Sequence, residues 1–243
     1  VTKAVGITLK KSRQSNKALI SCETSSGTHL RSSLSFEKNP KRIFNFQISP
    51  IAEEVIDHIY AKPHTTLKGC AEWGLGIVTG DNNKYCKSVH EEGLIPVFRG
   101  ADLNKGAPSL PSLYISSDLS IYQQVAPRRI YEANEKLIYK FISSDLCFFY
   151  DSEKRYALNS ANILVPDSKI EMSAKQLCDM LNSDLINWLF RSLFMTHKVL
   201  RGDLEELPLF PSYFLTHTEF NEKTFLEFLS IEQTQDGTYR IKR

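Results

Sequence analysis

Apolar residues are packed most densely between positions 137 and 166, where LIYKFISSDLCFFYDSEKRYALNSANILVP alternates strand formers with turn formers at short intervals. The pattern predicts three strands and two turns. Residues 137–142 and 146–150 are rich in β-branched and aromatic side chains, Ser143-Ser144-Asp145 is a polar break, and Asp151-Ser152-Glu153-Lys154 has the composition of a hairpin turn. A polar run, Asn159-Ser160-Ala161-Asn162, interrupts the third strand. Short side chains carrying donors and acceptors in an otherwise apolar ribbon suit hydrogen bonding to a partner; the alternative is that they cap a bulge or turn.

A period near 3.6 appears at three places. Ser49-Pro50 opens a helix whose Ile51, Val55 and Ile59 repeat every fourth residue, and Pro63 ends it. Ser173 and Gln176 have capping-box spacing at the head of a predicted helix reaching about Phe194, with Leu177, Leu181, Leu185, Trp188 and Leu189 as its core stripe. A last amphipathic stretch, 219–229, carries Phe225, Phe228 and Leu229 and precedes a polar tail. Between the first two helices, Gly74, Gly76, Gly80 and Gly93 break short strands over 67–98, and 102–114 reads as a long loop. At the start, 4–9 reads as a strand followed by a basic turn, 17–23 as its return partner and the serine-rich 24–35 as a loop.

Length and composition narrow the class. A chain of 243 residues, 42% hydrophobic, can bury a sizeable core, and the mixture of patterns predicts an α+β fold. No apolar run approaches about 18 residues, so a soluble cytoplasmic protein without a membrane partner is expected. The five cysteines, Cys22, Cys70, Cys86, Cys147 and Cys178, form no C-x-x-C pair and suit neither a disulfide framework nor a zinc site. A net charge of +2 and a pI near 8.2 give no basic signature overall. Basic residues do cluster locally: Lys10-Lys11-Ser12-Arg13, Lys38 with Lys41-Arg42, Arg128-Arg129, Lys198 with Arg201, and Arg240-Ile241-Lys242-Arg243.

Catalytic patterns are scarce. Gly74-Leu75-Gly76 lacks the third glycine and the strand-loop-helix frame of a nucleotide-binding loop. The six histidines have no metal-ligand spacing. Asp151, Glu153 and Lys154 share one turn, where adjacent side chains diverge, and read as turn residues rather than a nuclease centre. Polar loop chemistry remains. Thr79, Asn82, Asn83 and Lys84 offer side chains suited to base edges and phosphates in one turn, unless that turn is purely structural.

Taken in order, Gly76-Ile77-Val78-Thr79-Gly80-Asp81-Asn82, Pro96-Val97-Phe98-Arg99-Gly100-Ala101-Asp102, Arg129-Ile130-Tyr131-Glu132 leading to Lys136-Leu137-Ile138-Tyr139-Lys140, Leu158-Asn159-Ser160-Ala161-Asn162, Leu181-Asn182-Ser183 and Lys198-Val199-Leu200-Arg201-Gly202-Asp203-Leu204 resemble a TaqI-like C-terminal specificity domain. The resemblance spans roughly 67–210 and implies the target-recognition part of a bacterial restriction-modification enzyme that methylates adenine. It implies double-stranded DNA as partner and a methyltransferase domain in the same parent chain, whose final hairpin 1–23 is similar to. The expected division is 1–48 residual hairpin and loop, 49–66 helical connector, 67–210 recognition domain braced by the Ser173 helix, and 211–243 terminal helix and tail.

Under that resemblance, Lys84, Arg99, Arg128, Arg129, Lys198 and Arg201 are candidates for phosphate contacts, and Thr79, Asn82, Asn159 and Asn162 for base edges. The family's Asn/Asp-Pro-Pro-Tyr/Phe motif is not completed, since Lys41-Arg42 follows Asn39-Pro40. S-adenosylmethionine therefore belongs to the parent enzyme, and no cofactor or catalytic residue is expected in this part. The competing expectations are a protein-interaction module without DNA binding and an independent hydrolase.

Overall fold

The computed structural model describes residues 6–8, 18–24, 27–105 and 110–242. At the N-terminal side, β1 (Leu19–Thr24) and β2 (Gly27–Ser32) form an antiparallel hairpin with Ile20 opposite Arg31 and Cys22 opposite His29. The 17–23 segment thus finds its partner in the serine-rich stretch expected as a loop. Of the expected strand 4–9, residues 4, 5 and 9 lie outside the described residues and 6–8 carry no strand. Ser32 then caps α1 (Ser33–Lys38), its hydroxyl accepting from Leu34 N at 3.2 Å.

The helix expected from Ser49-Pro50 is α2 (Pro50–Ala61), with the Ser49 hydroxyl accepting from Ala52 N at 3.2 Å. Its buried face is Val55, Ile56 and Ile59, whereas Ile51 stays exposed in the first turn. After it come β3 (Ala71–Leu75), the one-turn helix α3 (Asn82–Tyr85), β4 (Leu94–Phe98), β5 (Leu113–Ser116) and the short α4 (Arg128–Tyr131).

The dense apolar run folds as four strands, β6 (Lys136–Lys140), β7 (Phe148–Asp151), β8 (Tyr156–Ala157) and β9 (Ala161–Pro166). β6 and β7 make the expected hairpin, but the next strand does not extend it. β8 leaves to run parallel to β4 in a second sheet of order β5-β4-β8, and β9 returns to the other side of β6. The main sheet is antiparallel, in the order β3-β9-β6-β7.

The run is apolar at nearly every position because both faces of this sheet are covered. Leu137, Tyr139, Phe148 and Leu164 face one core; Ile138, Phe149 and Ile163 face the other. Fully burying each such aliphatic side chain contributes about 1.5–3 kcal/mol. The first core is closed by helices: α2, α5 (Ala174–Leu181), α6 (Asp184–Phe194) and α8 (Glu222–Leu229). The second is closed by the β5-β4-β8 sheet and α4.

The capping box at Ser173 and Gln176 forms, yet the helix expected to run to Phe194 is two helices. Asn182 ends α5 because its amide is committed to the edge strand β7, accepting from Phe148 N at 2.9 Å and donating to Phe148 O at 2.8 Å. Ser183 then caps α6 by accepting from Ile186 N at 3.2 Å. These bonds satisfy an otherwise open strand edge, as does Asn187, which accepts from Leu146 N at 2.7 Å. Beyond them, α7 (Arg201–Leu204) follows α6, and the expected polar tail is a hairpin of β10 (Ile231–Gln233) and β11 (Tyr239–Ile241) whose Ile231 and Tyr239 enter the helical core. No described helix is long and apolar enough to cross a membrane.

Asp151 is not the surface turn residue its neighbours suggested. It sits directly across the hairpin from Lys136, both side chains fully buried, with their charges in hydrogen-bonding contact. Arg155 adds a guanidinium bond to Asp151 Oδ1 at 2.7 Å and its backbone N–H to Oδ2 at 2.9 Å. Burial pushes the Asp151 carboxyl upward, but the Lys136 and Arg155 bonds outweigh it and hold it below the ordinary 3.8. The folded state therefore binds this proton more weakly than the unfolded chain. Its stabilising contribution is present above pH 3.8 and is lost as pH falls below it.

Asp151→Asn, leaving Lys136 charged and partly unpaired, is expected to cost about 3–5 kcal/mol in urea unfolding. The paired change Lys136→Met with Asp151→Leu should recover most of that loss and flatten the decline between pH 5 and pH 3. Equal stability of single and paired variants would show that the pair does not anchor the hairpin.

Candidate nucleic-acid interface

Because both sheet faces are occupied, polar side chains able to meet a ligand sit at the ends of the strands. One end gathers four of the six segments singled out in the sequence. Ile77 bridges Leu158, Asn159 N donates to Ile77 O at 3.1 Å, and Leu158 N donates to Phe98 O at 2.8 Å. Gly100 N donates to Ser160 Oγ at 2.9 Å, and Phe141 N to Ser160 O at 3.0 Å. The segment around Lys198 then lies antiparallel to 141–143, with Val199 N donating to Phe141 O at 2.8 Å.

Glycine is required where these segments touch. A Cβ on Gly76 would stand 2.2 Å from Leu158 O and 2.3 Å from Ala161 O, and one on Gly100 2.4 Å from Ser160 O. These are backbone atoms held by the sheet, so a side chain at either position would force the loops apart.

The base-edge candidates divide by what they already bind. Asn162 is committed: its Oδ1 accepts from Gly76 N at 3.3 Å, and it stands directly across the β6–β9 pair from Tyr139 with its buried hydroxyl. Burial pushes that hydroxyl up to about 12, so it stays protonated at neutral pH. Thr79 is also committed. It is 4% exposed and donates to Asn82 Oδ1 at 2.5 Å, so it positions Asn82 rather than presenting its own hydroxyl. Asn82 remains exposed with its amide N–H groups, next to the Asp81 cap that accepts from Asn83 N and Lys84 N. Asn159 is exposed, and its side chain makes no hydrogen bond among the described residues.

The cationic candidates divide likewise. Lys198 is exposed and lies 5.8 Å above the Phe141 ring, without a carboxylate partner among the described residues. Arg201 projects from the first turn of α7, its guanidinium 5.7 Å above the Trp73 ring and its Nε on Glu205 at 2.8 Å. Lys84 is exposed in α3, 4.8 Å from the Tyr85 ring. Arg99 is more constrained, with its fork on Asp102 at 3.2 and 3.3 Å and on Ser112 at 2.8 Å. The hydrogen bonds and charge of Arg99 outweigh the burial of Asp102 and hold its carboxyl below the usual range.

Arg128 and Arg129 do not join this end. Arg128 is fixed to Glu132, Tyr156 and the Ser117 carbonyl, and Arg129 pairs with Glu72, near the opposite end of β3 from Gly76. The ten sequence candidates therefore do not share one surface. Asn82, Asn159, Lys198 and Arg201 are the ones left able to reach a ligand at the strand ends, with Lys84 one turn further along α3. Trp73, under the Arg201 guanidinium, was not among the residues singled out in the sequence, since it reads as an ordinary strand residue.

Among the described residues, no group of three His, Cys, Asp or Glu side chains is placed to hold a metal ion. Asn39, the remnant of the incomplete Asn-Pro motif, spends its amide on Ile43 O and Asn45 Oδ1, both at 2.7 Å, which does not fit a role toward an adenine or S-adenosylmethionine.

Comparison with known proteins bears on the same segments. Residues 95–209 match the TaqI-like C-terminal specificity domain, so the resemblance read from the sequence holds over that segment. The 76–82 loop lies outside the matched range. The Type II methyltransferase M.VspI of Vibrio sp. (strain 343) is 45% identical over 105 residues, which is 43% of this chain and 26% of that protein. The chain spans about a quarter of the length of this relative.

Asn162→Ala would strand the buried Gly76 N–H, and should cost about 1–3 kcal/mol in chemical denaturation. Asn159→Ala should stay within about 0.5 kcal/mol of the parent. The reverse ranking would exchange the structural and ligand-facing roles assigned to the two asparagines.

Proposed function

We propose that this chain is the DNA target-recognition module of a Type II restriction-modification enzyme, and that its parent transfers a methyl group to the exocyclic amine of adenine. The observation that carries the proposal is the convergence of the 76–82, 96–102, 158–162 and 198–204 segments at one end of the β3-β9-β6-β7 sheet. Three of those four lie within the stretch matched to the specificity domain. Lys198 and Arg201 would meet phosphates there, with Lys84 at the margin, while Asn82 and Asn159 would meet base edges in a groove.

The division of labour follows from placement. Cations on flexible stems at the rim hold the duplex in register without reading it. Short amides on rigid loops between strands read bases, because a hydrogen-bond code needs donors fixed to within a fraction of an ångström. The target adenine would be turned out of the stack toward a methyltransferase domain elsewhere in the parent, where S-adenosylmethionine would be held. Exposed apolar side chains suit a protein surface elsewhere on the chain: Leu19 and Leu30 share the outer face of the β1–β2 hairpin, and Phe44 and Ile51 are exposed as well. That area is proposed as the seat of the methyltransferase domain.

Binding of the chain to a pool of randomised duplexes should weaken steeply with salt, by about 0.9 log unit per log unit of salt for each phosphate contact. Asn159→Ala should reduce enrichment of selected sequences while leaving the affinity for the unselected pool unchanged. Duplex binding that ignores salt, or no binding either alone or joined to the parent's methyltransferase domain, would remove the proposal. Equal loss on selected and unselected duplexes would remove the base-reading role of Asn159.

A further inference from the structure

The loop before α2 carries a feature that its composition does not explain. Pro40–Arg42 is a single 3-10 turn, and inside it Lys41 and Arg42 both have left-handed backbones, with φ of 54° and 55°. Two consecutive non-glycine residues in this region cost about 1–2 kcal/mol each. Such a turn persists when contacts elsewhere hold it. The contact here is long-range: Lys41 Nζ donates to Asp203 Oδ1 at 2.7 Å, bonding the connector to α7 across 162 positions of sequence. Lys41 Nζ also lies 3.1 Å from where a Cβ on Gly202 would stand, so a residue larger than glycine would crowd the tie.

This places Pro40–Arg42 beside the segment that bears Arg201. Asp203 is 8% exposed and the Lys41 ammonium approaches it over the Phe194 ring at 5.9 Å, so the tie is partly sheltered from solvent. Arg42 comes next in the chain. It is exposed and has no carboxylate partner among the described residues, unlike Arg99, Arg128, Arg129 and Arg201.

We propose that Pro40–Arg42 is part of the DNA-binding rim, with Arg42 contacting a backbone phosphate and Lys41 acting as the positioning residue that clamps the turn to Asp203. The inference rests on the DNA-binding function proposed above and extends that surface to a segment well outside residues 95–209. A left-handed turn held from behind presents the Arg42 side chain outward beside α7. Its guanidinium would join the Lys198 ammonium and the Arg201 guanidinium in following one strand of the duplex, and as a phosphate contact it would add affinity without sequence preference.

The test compares wild type, Arg42→Ala, Arg42→Gly and the control Arg240→Ala, which removes a cation from the terminal β10–β11 hairpin. The probe is one mixed-sequence duplex, titrated from 50 to 200 mM salt. Both Arg42 variants should lower the slope of log affinity against log salt by about 0.9, equivalent to about a 3.5-fold smaller loss of affinity over that fourfold range of salt. Arg42→Gly should do so while keeping or raising the melting temperature, because glycine tolerates the left-handed backbone. Arg240→Ala should leave the slope unchanged.

A wild-type slope in the Arg42 variants, with wild-type binding itself salt-dependent, overturns this inference and leaves the functional proposal standing. An equal shift in Arg240→Ala also overturns it, by showing that net charge and not a local contact is read. Absence of salt-dependent binding in the wild type removes both.

Discussion

Both faces of the β3-β9-β6-β7 sheet are buried, and that constraint orders the rest of the molecule. A sheet with one wet face can display functional side chains across its surface; this one cannot. Leu137, Tyr139 and Leu164 are taken by the helical core and Ile138 and Ile163 by the core under the second sheet. Polar groups inside the sandwich must be paired with each other, and Lys136 and Asp151 are, directly across the β6–β7 hairpin. Whatever meets a ligand is pushed to the strand ends and the loops between them.

The same constraint explains why so many polar side chains at the candidate interface turn out to be internal. Where strands from two sheets and a loop meet, each backbone N–H buried outside a ladder needs a partner. Asn162 supplies one for Gly76, Ser160 for Gly100, and Asn182 and Asn187 do the same along the β7 edge. These residues fix the loops rigidly enough for their neighbours to act. Asn159 is set between two such anchors, with its backbone bonded to Ile77 and its side chain outside. Thr79 and Asn82 repeat the arrangement, one hydroxyl buried and orienting one exposed amide.

What the sequence disclosed follows from the range of the interactions concerned. Caps at Ser49 and at Ser173 with Gln176 are local and were readable as spacing, and both form. The strand-rich character of 137–166 was equally plain. The partners were not, because which strand β9 joins depends on closing two cores at once, and nothing within the segment carries that information. The single helix expected from Ser173 breaks because Asn182 is drawn to Phe148, 34 positions away. The pair Asn159 and Asn162 looked alike for a similar reason. The register of β9 against β6 decides that Asn162 falls on the ladder opposite Tyr139 and that Asn159 falls in the loop before it.

Charge shows the limit of reading function from clusters. Arg128-Arg129 is the most compact arginine pair in the described part of the sequence, yet its two guanidinium groups are committed to Glu132, just past α4, and to Glu72 on β3. Lys198 and Arg201 look weaker in sequence, three apart and of mixed type, but stand over the aromatic rings of Phe141 and Trp73. A ring beneath a cation holds it in place through the ring's negative face while leaving its hydrogen-bond donors free to turn outward. A carboxylate beside a cation occupies those same donors. The side chains that rest on Phe141 and Trp73 are therefore oriented without being neutralised by the ring, which is the condition a phosphate contact requires. For Arg201 the Glu205 pair takes up Nε and leaves the far edge of the guanidinium fork for the ligand.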